Sequence, residues 1–336
     1  MNLADTIEGI RQQIINVLFE DKTHEQIQHA IQRVYYLLEN IVGVFDNGKD
    51  GRASTGVCIT PTAAASCLLS YRRTLAYWQA LKLALDGFSP EQEIKLVYPG
   101  CGPFATLVLP ALFTVFPHKL NITFIDYHQS ALDSLQQRIL ATGNSNIKCQ
   151  FICGDATGWQ PNTGIDILIL ECMLKGLDDE GQVSLVNHFS PFLNPQASLI
   201  PQEIEVKANW INMPAEVSYC QAQCDSGKLP AAKQLRRYRV AIGDVFKLDR
   251  TTYQHANGGK ISCPGLSWIE RPDVDYHFAL TMRLRLLADI WLEEYADGIT
   301  SPFLPKIQQA NDKCAKSNLS GYYKTGLHPG FVFKVT

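Results

Sequence analysis

The chain has 336 residues, 46% of them apolar and 19% charged, a globular balance that allows a sizeable core. Its net charge is −3, which argues against a partner held mainly through phosphates, so nucleic acid is not an expected partner. No run reaches the length of a membrane span, and the opening MNLADTIEGIRQQ lacks the basic and apolar regions of a signal peptide, so no membrane partner is expected and the cytoplasm is the expected compartment.

The elements are read in chain order. Residues 1–45 predict helices, because IRQQIINVLFE and IQHAIQRVYYLLENIVGVF carry apolar residues at three- and four-residue spacing. DNGKDGRASTG (46–56) predicts a loop from its Gly, Asp and Ser content. Residues 61–85 predict one long helix opened by Pro61. From residue 93 strands and helices alternate. IKLVYPG, LNITFID, IKCQFICGD and IDILILE predict strands, FATLVLPALFTVF, SALDSLQQRILATG and EGQVSLVNHFSPFL predict helices, and SLIPQEIEVKANW predicts one further strand. Alternation of this kind predicts a parallel sheet with right-handed crossovers, whose ligands lie beyond the carboxyl ends of the strands. Past residue 203 the helical rhythm fades. EIEVKANWI, YRVAIGDVFKL, GLSWIE, DYHFALTMRLRLLADIWLEEY and GFVFKV predict an antiparallel sandwich or barrel.

Ten cysteines are scattered over the chain. Cys149/Cys153 and Cys220/Cys224 show CxxxC spacing, but without a second pair or a histidine cluster they read as reduced, mostly buried thiols, and no metal site is expected. The densest basic cluster, KQLRRYRV (233–240), reads as a solvated face. His277 and His328 read as structural residues.

Chemistry is expected at the carboxyl ends of the strands. The first ends in PGCGP (99–103), where Gly100 and Gly102 let the backbone approach a ligand. The dinucleotide fingerprint is incomplete, because Phe104 and Ala105 follow instead of its third glycine. The second strand ends in Asp126, 24 residues after Gly102, where an acid can accept the hydroxyl hydrogens of a ribose. The third ends in Asp155 and Ala156, placed to meet an adenine edge. The fourth ends in Glu171, followed nine residues later by Glu180. Any one of these acids is equally explained as a helix cap, and Glu180 also suits a helix first turn. A glycine turn and three acids on four successive strands are harder to obtain by chance.

This constellation resembles the class I S-adenosylmethionine-dependent methyltransferases and, within them, the protein arginine methyltransferase family. The helix before the first strand holds RRTLAY, similar to that family's Arg-Thr-x-x-Tyr stretch. Glu171 and Glu180 have the separation of its paired glutamates. LIPQ followed by a β-rich half is similar to its barrel. The resemblance implies a Rossmann-like sheet with an N-terminal helical region and a C-terminal antiparallel β sandwich or barrel. It implies S-adenosylmethionine as cofactor, with Arg73 gripping the cofactor carboxylate and Tyr77 lining the site. It implies Glu171 and Glu180 as the residues that orient a guanidine, whose planar cation matches carboxylates. The domains implied are a helical region and cofactor lid (1–90), a cofactor-binding domain (91–202) and a β-rich substrate or oligomerisation domain (203–336).

The chain departs from the family in four places. Tyr98 replaces the acid usual at the end of the first strand, and Phe104 replaces a glycine. LECM stands where the family has Ser-Glu-Trp, and no Thr-His-Trp occurs in the β-rich half. These departures favour a small-molecule methyl acceptor such as L-arginine over a protein. GRASTGVCITP (51–61) is the expected lid. A protein arginine methyltransferase, a small-molecule O- or C-methyltransferase, a nicotinamide oxidoreductase and a non-catalytic binding protein stay open as alternatives, as does a homodimer.

Overall fold

The computed structural model describes residues 2–42, 49–113, 115–225, 228–309 and 318–335. Residues 46–48 of the expected loop therefore lie outside the described residues.

Helices α1 (Leu3–Phe19) and α2 (His24–Ile41) form an N-terminal hairpin. Asn2 and Thr23 cap them, Thr23 in a reciprocal bond with Gln26. Ile10, Ile14, Ile31, Val34 and Leu38 fall on one stripe and are buried. The guanidinium of the buried Arg138 donates to the Leu38 carbonyl at 3.2 Å, which ties α2 to the rest of the chain. Burial pushes the pKa of that guanidinium down to about 10. A short hairpin follows, β1 (Gly51–Ala53) with β2 (Gly56–Cys58). The long helix expected over 61–85 is interrupted. It forms α3 (Pro61–Ser66), a 3₁₀ turn over Cys67–Leu69, and α4 (Tyr71–Asp86), with non-helical backbone at Ser70.

The strands β3 (Glu93–Pro99), β4 (Lys119–Asp126), β5 (Ile147–Cys153), β6 (Ile165–Ile169) and β7 (Leu193–Ile200) form a parallel sheet in the order β5-β4-β3-β6-β7. The inner strands β4, β3 and β6 carry the near-continuous apolar runs of strands covered on both faces, whereas the edge strands β5 and β7 are partly exposed. The crossover β3–β4 differs from the expected single helix over 104–116. It contains a 3₁₀ turn over Thr106–Val108 and a four-residue α5 (Leu109–Leu112). Ala105 is left-handed, and Pro110 can donate no bond back into the preceding turn, so one continuous helix cannot form. The β4–β5 crossover carries α6 (Gln129–Thr142) and the β6–β7 crossover α7 (Gln182–Phe189), while β5–β6 holds only a 3₁₀ turn over Ala156–Gly158.

The strand expected over 198–210 is two strands. Ile200–Pro201 is a cis bond, and β8 (Glu203–Asn212) leaves for a different sheet. Next comes α8 (Met213–Asp225), unforeseen because it inverts the usual pattern: Glu216 is fully buried while Val217 is exposed. A short α9 (Ala232–Leu235) leads to β9 (Arg239–Asp249), then β10 (Ala256–Asn257), β11 (Lys260–Ser262), β12 (Leu266–Ser267), β13 (Tyr276–Leu287), β14 (Ile290–Leu292), β15 (Ile307–Gln309), β16 (Asn318–Lys324) and β17 (Gly330–Val335). One sheet runs β14-β13-β8-β9 and the other β10-β11-β16-β17-β15, with β12 also on β16. Every pair in the two is antiparallel except β15–β17. Rings from the two sheets meet, Phe246 stacking on Tyr323 at 5.5 Å and Phe278 against Phe333 at 5.6 Å, so the half is a sandwich. No helix among the described residues is long and apolar enough to cross a membrane.

The basic cluster at 233–240 is not wholly a solvated face. Arg239 is buried and grips Glu216 of α8 through Nε at 2.6 Å and Nη2 at 2.7 Å, with Glu294 on its other amino group. The Tyr295 hydroxyl also donates to Glu216. This cluster fixes the turn after β14. Removing one member leaves a buried charge uncompensated, so Arg239→Ala should lose about 3–5 kcal/mol of stability in urea denaturation. Lys148→Ala, whose partner Glu93 is solvated, should lose less than about 1 kcal/mol. Equal losses would refute the assignment of the Arg239 cluster as a buried structural pin.

Candidate active site

The site lies at the carboxyl ends of β3, β4, β5 and β6. Gly100 and Gly102 both have positive φ, +65° and +61°. A Cβ at Gly100 would stand 2.4 Å from the Cys172 sulfur, so the turn needs glycine for space as well as for conformation. The Gly102 N–H donates to Asp126 Oδ2 at 2.8 Å, and the His128 N–H to Oδ1 at 2.9 Å. Burial nevertheless raises the Asp126 pKa above the ordinary carboxylate range.

Beyond β5, Asp155 accepts from Thr157 N at 3.0 Å, from Thr157 Oγ1 at 2.7 Å and from Ser54 N at 2.8 Å. Burial would raise its pKa, but the bonds from Ser54 and Thr157 outweigh it and hold the carboxyl below its usual value. The hairpin β1–β2 thus docks across the strand ends.

From the other side α4 delivers Arg73. Its Nη1 lies 2.9 Å from Glu171 Oε2 and its Nε 3.7 Å from Asp297 Oδ2, all three side chains being buried. Asp297 comes from the turn after β14, where it caps the 298–300 turn by accepting from Ile299 N at 3.1 Å. The loop 172–181 is pinned by Cys172 N donating to Gln182 Oε1 at 3.0 Å and Gln182 N to the Cys172 carbonyl at 2.9 Å. It carries Glu180, which is 9% exposed and makes no hydrogen bond or ion pair among the described residues. Burial, then the Glu171 charge, pushes the Glu180 pKa up to about 8. Glu171 is also raised, by burial more than Arg73 offsets, with Asp297 adding to the shift. Two carboxylates therefore pair with one guanidinium, and Glu180 adds a third carboxyl to the same cavity wall.

These groups enclose a cavity of about 430 Å³, a volume typical of small-molecule sites. The sequence-predicted Arg73, Gly100, Gly102, Asp126, Asp155, Ala156, Glu171 and Glu180 all line it. Tyr77 does not. It is fully buried behind the wall, its hydroxyl donating to the Leu170 carbonyl at 3.2 Å, and it buttresses the end of β6. Glu171 is paired with Arg73, a contact the sequence did not foresee. Sequence reasoning missed Asp297, Tyr127 and His128 in the wall. Tyr127 and His128 directly follow Asp126 and could have been found by extending that strand end. Asp297 had no signal beyond a turn-forming Asp-Gly. No group of His, Cys, Asp or Glu among the described residues is arranged to hold a metal.

No protein-family model matches the chain. It is similar to trans-aconitate 2-methyltransferase of Escherichia coli O139:H28, 29% identical over 173 residues, which cover 49% of this chain and 63% of that protein. The Shigella dysenteriae protein of the same name is 28% identical over 132 residues, covering 38% of this chain and 50% of that one. The chain thus spans less than two thirds of these relatives' length. Among solved structures, the Trypanosoma brucei PRMT1 enzyme–prozyme heterotetramer with AdoHcy superposes with a TM-score of 0.47 at 13% identity, covering 75% of this chain and 84% of that one. Arabidopsis thaliana protein arginine methyltransferase 10 gives 0.46 at 12% identity, covering 78% and 94%. Overlaps this loose carry no residue roles from one chain to another.

Buried carboxyls with raised pKa values keep protons that the unfolded chain gives up near pH 4.5. Their contribution to stability is therefore full below that value and is lost as pH rises from about 4.5 to about 8. Glu180→Gln removes one such group. Its thermal midpoint should fall less steeply over this window and exceed that of the wild type at pH 8 by about 2 °C or more. Parallel profiles would show that Glu180 is not buried as a strained acid.

Proposed function

We propose that the protein is an S-adenosylmethionine-dependent N-methyltransferase acting on a small cationic guanidine, with L-arginine as first candidate. The observation that carries this reading is the excess of acidic groups over cations in the cavity: Glu171 and Asp297 pair with Arg73, and Glu180, with no hydrogen bond or ion pair among the described residues, lines the same wall.

The residues present fit the cofactor. The Gly100–Gly102 turn leaves room for close backbone approach, Asp126 keeps lone pairs for ribose hydroxyls, and Ala156 offers a small apolar edge for a base. Arg73 supplies a counterion for a carboxylate. S-adenosylmethionine, when bound, supplies an electrophilic methyl on a sulfonium. That cation offsets one negative charge of the site, and a singly charged acceptor offsets the next. Glu171 and Glu180 orient the acceptor nitrogen by accepting its N–H hydrogens. Glu180, whose raised pKa suits it to hold a proton, would accept the one that the acceptor nitrogen gives up on methylation. The β1–β2 hairpin excludes water.

The trans-aconitate 2-methyltransferases suggest a second reading, an anionic acceptor methylated on a carboxylate oxygen. Three carboxylates in the wall would repel such an acceptor. The closed hairpin likewise disfavours an arginine within a folded protein.

The test is incubation with isotopically labelled S-adenosylmethionine and, separately, free arginine, an arginine-rich peptide and trans-aconitate, followed by mass spectrometry. Label on free arginine is expected. Label on trans-aconitate alone would overturn the cationic acceptor, and label on the peptide alone would favour a protein substrate. Asp126→Ala should weaken S-adenosylhomocysteine by roughly 1–3 kcal/mol in calorimetry, and unchanged affinity would remove Asp126 from the site.

A further inference from the structure

The cavity is closed by a hairpin whose own core is three residues per strand, too little to hold it in place by itself. Besides Ser54 N on Asp155 and Val57 N on the Asp179 carbonyl, it is held by a fork of bonds from the partly exposed Arg52. Its Nη1 donates to Asp179 Oδ1 at 2.8 Å and to the Leu327 carbonyl at 2.6 Å, and its Nη2 donates to Asp179 Oδ2 at 2.7 Å. The His328 Nδ1 lies 3.1 Å from Arg52 Nη1 and 3.4 Å from Asp179 Oδ1. A bidentate guanidinium–carboxylate pair fixes orientation as well as distance.

Asp179 is engaged at every polar group by other parts of the chain. Its N–H donates to the Pro329 carbonyl at 2.9 Å, and its carbonyl accepts from Val57 N of the hairpin at 2.8 Å. Its backbone is left-handed, φ +53°, a costly conformation for a non-glycine residue that the surrounding bonds must maintain. At Gly56 a Cβ would stand 2.6 Å from the Asp179 carbonyl, so the hairpin is fitted against this one residue. The next residue is Glu180, whose side chain makes no hydrogen bond or ion pair among the described residues.

We propose that Arg52 is a positioning residue: by clamping Asp179 it latches the β1–β2 hairpin shut and sets Glu180 in the cavity. The part concerning Glu180 deepens the methyltransferase reading and rests on it; the latching of the hairpin does not. Glu180 inherits its place from Asp179, and Asp179 is held by Arg52 from the hairpin and by Leu327–Pro329 from the C-terminal end. Ligand entry and release then require this pair to part.

Cys58 reports the latch directly, since it lies in β2 and faces the cavity. N-ethylmaleimide labelling of each thiol is followed by mass spectrometry in the wild type, Arg52→Gln, Asp179→Asn, the double variant and Arg52→Lys. Arg52→Gln and Asp179→Asn should each speed Cys58 labelling by roughly fivefold or more, and the double variant should add little. Lysine, which keeps the charge but not the fork, should fall in between. Exposed Cys153 and buried Cys220 should label as in the wild type. An unchanged Cys58 rate, independent increments in the double variant, or labelling of Cys220 alongside Cys58 would each overturn the latch. Release of S-adenosylhomocysteine should speed up by a similar factor in both single variants. If the wild type binds none, the cofactor reading fails while the thiol labelling still decides the latch.

Discussion

One guanidinium buried among three carboxylates organises the molecule. Arg73 comes from the helix before the sheet, Glu171 from the end of β6, Glu180 from the loop after it and Asp297 from the sandwich. Three acidic groups around a single cation cannot all be satisfied in a low dielectric, so burial and mutual repulsion raise the glutamates. A fold that keeps such an arrangement does so at a cost in stability at neutral pH.

The remaining architecture holds these charges where they are. The parallel sheet brings Asp126, Asp155 and Glu171 to one edge because its strands share a direction. The glycine turn after β3 leaves space that any side chain at Gly100 would fill. The sandwich contributes Asp297 through a turn that would be free to move without the ion cluster of Arg239, Glu216, Glu294 and Tyr295 beneath it. Tyr295 is itself left-handed, and its hydroxyl bond into that cluster helps to keep it so. A second outlier, Asp179, is held in the same manner by Arg52 and Val57. Both strained residues sit within two positions of a cavity carboxylate, where local geometry is over-determined by contacts from distant parts of the chain.

The alternation of strands and helices, the glycine turn and the acids at successive strand ends were legible in the sequence because each follows from local pattern: apolar runs of strand length, glycine where backbone must crowd, and carboxylates just past a buried run. The same logic failed where tertiary context outweighed pattern. Residues 104–116 look helical but pass through a left-handed Ala105 and Pro110. Residues 213–225 form a helix that buries Glu216 and exposes Val217, because Arg239 waits inside to pair with the glutamate. Tyr77 sits on the expected helix but turns behind the wall.

By itself the sequence determined the Rossmann-like order of elements and a β-rich second half, since these depend on local pattern; eight of the nine expected cavity positions line the cavity, Arg73 and Glu180 having been placed there by family resemblance. Only the tertiary structure decided which charges face one another. Asp297 reaches Arg73, and Arg52 reaches Asp179, across more than a hundred residues of chain. Electrostatic pairing depends on separation in space, and no local periodicity encodes it.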